Sequence, residues 1–197
     1  MRNRGSHEAL IDELAVPHRA GPAYRALLRA GFDALPAIHA GLHHESAEVR
    51  RHCCRFLDHF VTRELMDDLT AMLDDEDARV RWEALHALAC DRCKEGTCGP
   101  EEAKVLPSAL ALLAADPDAH VRGHAVGLVG RWVHTNADAE ATLLQALRCD
   151  PSPAVRKRAS WIVPGGTIHR KTAPKTRRGA RGRPAAHPRE RVSNGRA

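Results

Sequence analysis

Aromatic side chains are scarce in this chain: three Phe, three Trp and one Tyr, 4% of 197 residues. A globular α/β core would be thinly filled by so few large rings, whereas stacked helices are filled by Ala, Leu and Val. No run approaches the 18 apolar residues of a transmembrane helix, so no membrane partner is expected. Met1 to Gly5 is charged, but Ser6 to Leu14 is no long apolar stretch, which argues against a secretory signal. Six Cys without such a signal point to reduced thiols and a cytoplasmic location rather than a disulfide framework. There is no Ser-His-Asp arrangement, no Gly-rich phosphate loop and no His-Glu-x-x-His. The chain is therefore read as non-catalytic.

What is present is one stretch repeated four times. Its fixed point is a Val-Arg pair: Val49-Arg50, Val80-Arg81, Val121-Arg122 and Val155-Arg156. Five residues before the Val stands an acid in three copies (Asp75, Asp116, Asp150) and His44 in the first. Four after it comes a small residue: Cys53, Ala84, Ala125, Ala159. Seven and eight after it come Phe56 and Leu57, Ala87 and Leu88, Leu128 and Val129, Ile162 and Val163. Offsets of zero, four, seven and eight share one face of an α-helix. Pro in the Asp-Pro-Asp and Asp-Pro-Ser-Pro segments ends one helix and suits the first turn of the next. Each copy is thus a turn plus the second helix of a pair. The first helices are expected over 34–43, 64–73, 101–115 and 139–148.

The Val positions are 31, 41 and 34 residues apart, the period of a helical solenoid. The Asp-(Pro)-x-x-x-Val-Arg-x-x-Ala-x-x-Ala-Leu pattern over residues 33–164 resembles the HEAT-repeat family, in its short phycobilisome-lyase-like form. The resemblance implies an all-α HEAT-like α-solenoid of about four helix pairs. It implies an Asp–Arg ladder between neighbouring repeats and second helices lining a concave face. Within that family, deoxyhypusine hydroxylase holds two irons on second-helix His-Glu pairs. The adjacent residues here are His52-Cys53, Trp82-Glu83 and His124-Ala125, so that site is not carried over.

Three segments follow. Residues 1–32 are expected to be an N-terminal helical cap, with short helices at 7–15 and 23–30 separated by Pro17 and Gly21-Pro22. A terminal repeat needs such a cover for its apolar side. Residues 33–164 are the repeats. Residues 165–197 carry ten Lys and Arg against one acid, Glu190, near +9, while the rest has 20 against 24, near −4. With almost no large apolar residues, that tail is expected to be disordered. Its charge suits DNA or RNA phosphates, through Lys175, Arg177, Arg178, Arg181 and Arg183. Arg181-Gly-Arg183-Pro184 has the core of an AT-hook but not the preceding Pro, and a nonspecific basic tail is the favoured reading.

Two candidate sites remain. Offsets three, six and ten form a polar stripe which, by the resemblance, faces the concave groove. It nominates His52, Arg55, Glu83, His124, Arg131 and Trp161 as contacts for another protein, with Arg and Trp as anchors. Trp82, at an otherwise mostly polar offset, either packs on the inserted loop or meets that partner. A solvated helix face is the plainer account of the same polarity. The 41-residue spacing marks an insertion over 90–100. There His86, Cys90, Cys93 and Cys98 follow His-x3-Cys-x2-Cys-x4-Cys, four ligands of structural zinc type. The alternative is a redox-sensitive thiol pair. Cys53, at the small core offset, is expected to be only a small apolar residue.

Overall fold

A computed structural model describes residues 4–90 and 99–174. Among them there are helices and turns and no strand. None of those helices is long and apolar enough to cross a membrane. The helices are α1 (Arg4–Glu13), α2 (Pro17–Ala30), α3 (Leu35–Gly41), α4 (Ala47–Phe60), α5 (Met66–Ala71), α6 (Ala78–Ala89), α7 (Glu102–Ala115), α8 (Ala119–Val129), α9 (Ala137–Cys149), α10 (Pro153–Ile162) and α11 (Thr167–Thr172). The pairs α3/α4, α5/α6, α7/α8 and α9/α10 are the four repeats. Their second helices pack on one another more closely than their first helices do, so α4, α6, α8 and α10 take the inside of the curve.

The repeat register sets the core. Val49, Val80, Val121 and Val155 are all buried, as are the small residues Cys53, Ala84, Ala125 and Ala159 four positions on. A small side chain there lets neighbouring helices approach. Gly41 shows the same limit on α3: a Cβ in its place would lie 2.5 Å from Cys53 Sγ and 3.2 Å from Ile11. Burial pushes the thiols of Cys53 and Cys54 well up, so both are inert packing groups.

The turns hold the repeats in register. Arg50 Nε and Nη2 donate to Asp75 Oδ2 and Oδ1 at 2.7 and 2.9 Å. Arg81 does the same to Asp116 at 2.7 and 3.1 Å, and Arg122 to Asp150 at 2.8 and 3.0 Å. The remaining Nη1 of each Arg donates back into its own turn, as Arg122 does to the carbonyls of Asp116 and Pro117. Each Asp also accepts the amide two residues on: Asp77 N to Asp75, Asp118 N to Asp116, Ser152 N to Asp150. The second acid of the pair has a different task. Asp77 and Asp118 cap α6 and α8 by accepting from Arg79 N and His120 N. In the first repeat His44 stands in for the Asp, its Nδ1 accepting from Ser46 N at 2.9 Å. That bond requires the proton on Nε2, which lies 3.8 Å from Asp12 of α1.

Two expectations at the ends are revised. The break expected at Pro17 falls at residues 14–16, just before Pro17 starts α2, but Gly21-Pro22 makes no second break, since Pro22 lies within α2. Pro22 removes only the bond to the carbonyl of His18; both residues are exposed, so water satisfies that carbonyl. At the other end the described helices continue past Gly165 into α11. His169 of α11 lies against His134 at 4.2 Å between ring centroids, and Thr172 Oγ1 is 2.9 Å from His134 Nε2. Lys175, Arg177, Arg178, Arg181 and Arg183 lie outside the described residues.

The ladder gives a graded expectation. Arg122 and Asp150 are both buried, so Arg122→Ala leaves a buried carboxylate without its partner and lowers unfolding free energy by about 3–5 kcal/mol. Arg156 reaches the carbonyls of Asp150 and Pro151 and is only half-buried, so Arg156→Ala costs about 1 kcal/mol. Urea unfolding of the two variants measures the difference, and equal losses would refute it.

Candidate functional site

The inner face of α4, α6, α8 and α10 carries the predicted stripe, but its members are not alike. At the α4 end His52 is buried, not solvated. Its Nε2 lies 3.2 Å from Glu48, its ring tilts against Tyr24 at 5.3 Å, and its Nδ1 has no hydrogen-bond partner. Arg55, one turn on, is exposed with its guanidinium 5.2 Å from the centre of the Tyr24 ring. Tyr24 comes from α2, so the N-terminal cap contributes to this face. Its hydroxyl is buried without a partner, and burial, ahead of its charged neighbours, raises its pKa to about 12. It remains a neutral phenol.

Glu83 on α6 is 4% exposed. Burial raises its pKa, opposed by Arg51 and Arg55. Arg51 Nη1 is 3.6 Å away, but Arg51 is held more tightly by Glu48 on its own helix at 2.6 Å. Asp58, near the end of α4, is also buried, and its Oδ1 has no partner. Its Oδ2 lies 3.8 Å from Nε2 of the exposed His86.

Farther along, Trp82 is half-buried on α6, and residues 91–98 of the insertion lie outside the described residues. Trp82 stacks on His124 of the next repeat, 5.2 Å between centroids and 29° between planes. His86 meets the same imidazole edge-on at 5.8 Å. Burial depresses the His124 pKa to about 4, helped by Arg158 and then His86. Arg158 crosses from α10 to donate to the Gly123 carbonyl at 2.9 Å. Trp161 is 40% exposed, with Lys157 Nζ 5.9 Å from its ring centre. Arg131 follows α8 on a short turn and donates to the Ala89 carbonyl at 3.4 Å, so it sits at the far edge of the face rather than along it.

Of the predicted metal ligands, His86 and Cys90 lie one turn apart at the end of α6. Cys93 and Cys98 lie outside the described residues. Tyr24, Arg51 and Asp58 are site residues that the repeat pattern did not nominate. Asp58 had a signal: it stands nine after its Val, where the other copies have Ala89, Gly130 and Pro164. The face as a whole offers aromatic and guanidinium surface with buried polar atoms between.

The HEAT repeats family matches residues 35–111. Among solved structures, the chain is similar to the complex of CpcE and CpcF of phycocyanin lyase from Nostoc sp. PCC7120. Identity is 20% and TM-score 0.62, covering 79% of this chain and 96% of that one. It is also similar to a designed armadillo repeat protein in complex with the peptide (KR)4, at 20% identity and TM-score 0.50, covering 79% of each chain. Both likenesses concern the fold. No curated protein matches the sequence.

The depressed His124 pKa has a signed consequence. The ordinary imidazole pKa is 6.5, so between pH 6.5 and about 4 the unfolded chain holds a proton that the folded chain does not. That part of the stability is intact above pH 6.5 and is lost as pH falls through this window. His124→Gln removes it. Urea unfolding across pH 7.5 to 4.5 should fall less steeply in the variant than in the parent, and parallel slopes would contradict the burial of this ring.

Proposed function

In a chain that carries HEAT repeats, we propose that the inner helix face is a binding surface for another protein and that the repeats act as a non-catalytic scaffold. The observation that carries this reading is the row of Arg55, Trp82 with His124, Arg158 and Trp161 across all four second helices. Aromatic and Arg side chains on a rigid surface supply large contact area at small entropic cost. The armadillo neighbour's peptide complex supports the same use of a stacked-helix face.

The test is capture of partners by the full chain, with cross-linking to the groove and identification by mass spectrometry. Arg55→Glu combined with Trp161→Ala should weaken the captured protein about tenfold or more while leaving the melting temperature unchanged. Retention of every partner by residues 175–197 alone would overturn the scaffold reading.

The charge division favours a second activity. The segment from Gly165 onward is near +9 and the rest near −4, so nucleic-acid affinity is assigned to the tail. Deleting 175–197 should abolish most duplex DNA or RNA binding at low salt and flatten its salt dependence. Undiminished affinity after the deletion would move that activity to the repeats.

A further inference from the structure

We propose that Asp58, His86 and Cys90 form a zinc site that joins α4 to α6 at the edge of the inner face opposite the Arg–Asp ladder. One ligand atom from each lies within 4.8 Å of the other two. His86 and Cys90, four residues apart at the end of α6, project from one side of it. Asp58 reaches them from the preceding repeat, with His86 Nε2 and Asp58 Oδ2 3.8 Å apart.

The independent sign of a ligand is Asp58 itself. Its side chain is 9% exposed and Oδ1 has no hydrogen-bond partner. A buried carboxylate oxygen left unpaired is costly, and a cation is the partner that relieves it most. Bonds of about 2.0–2.3 Å from a tetrahedral zinc put neighbouring ligand atoms about 3.3–3.7 Å apart. From separations of up to 4.8 Å the site needs a contraction of up to about 1.5 Å, within the reach of side-chain rotation at a helix end. An imidazole, a thiolate and a carboxylate together suit zinc better than magnesium or calcium, which prefer oxygen alone. The Cys90 thiol gives up its proton to solvent as the Zn–S bond forms. The His86 side chain is 48% exposed, so the metal has an entry path.

This set differs from the one that the cysteine spacing suggests. His86 and Cys90 are common to both, but the third ligand comes from another repeat. Such a metal braces two repeats instead of folding an insertion on itself. It is independent of the protein-binding reading, since neither requires the other.

The experiment uses the full chain, stripped with chelator under reducing conditions and titrated with ZnCl2 by calorimetry and with CoCl2 by absorption. The expected result is one equivalent of zinc and a cobalt complex with a near-ultraviolet thiolate charge-transfer band and visible bands of four-coordination. Asp58→Asn should lower zinc affinity about tenfold or more, since losing even an outer-shell partner costs that much. Cys90→Ser should abolish the near-ultraviolet band. The cobalt spectrum of the parent chain decides the matter even where a variant folds poorly. Absence of binding at equimolar zinc, parental affinity in Asp58→Asn, or a thiolate band that survives Cys90→Ser would each overturn the site.

Discussion

The bidentate Arg–Asp pair between successive turns is the constraint on which the stack depends. Hydrophobic packing of small residues is forgiving about angle, and an Ala-lined interface alone would let one repeat slide on the next. A guanidinium that donates two parallel bonds to a carboxylate and a third group of bonds to its own turn fixes position and orientation together. The Arg122–Asp150 pair is buried and the other two are partly buried, so their charges are dear to leave unmatched. Asp150 shows the balance: burial pushes its carboxyl up, but the hydrogen bonds from Arg122 and the Ser152 amide hold it below its ordinary value. The Arg122 guanidinium is correspondingly held further in its charged form, its pKa raised by the Asp150 bond.

The ladder also explains why the sequence was so legible in its repeats. Each of its elements falls at a fixed distance from one Val, because each occupies the same place in the same turn. Even the exception at His44 keeps the geometry, an imidazole nitrogen accepting the amide bond that a carboxylate oxygen accepts elsewhere. The proline-rich cap was less legible, since a Pro in a helix is tolerated only where water covers the carbonyl it abandons, and exposure is not written in the sequence. The stripe lies between these cases. Offset three is buried at His52 and Glu83 but half-buried at His124, because the neighbour differs in each repeat: Tyr24 and Glu48, Arg51, then Trp82. Helical periodicity places these residues on one face. Only the packing of one repeat on the next decides which of them meet solvent.

The same reasoning accounts for Tyr24, the chain's one tyrosine. It belongs to the apolar side of α2, and nothing in that helix sets it apart. Its importance comes from covering the end of the inner face, where it carries Arg55 on its ring and borders His52. The cap therefore does more than hide an apolar end; it supplies the first wall of the groove.

Ladder and groove edge are not equivalent places in this architecture. The Arg–Asp pairs sit at the starts of the second helices, and about ten residues of helix at 1.5 Å each separate them, by about 15 Å, from the helix ends. At those far ends Arg131 donates to the Ala89 carbonyl, and Asp58 faces His86 at 3.8 Å. Arg50 bonds Asp75 in the turn before α6, and Asp58 faces His86 near the other ends of α4 and α6, so Arg55 and Trp82 stand along two helices joined towards both ends.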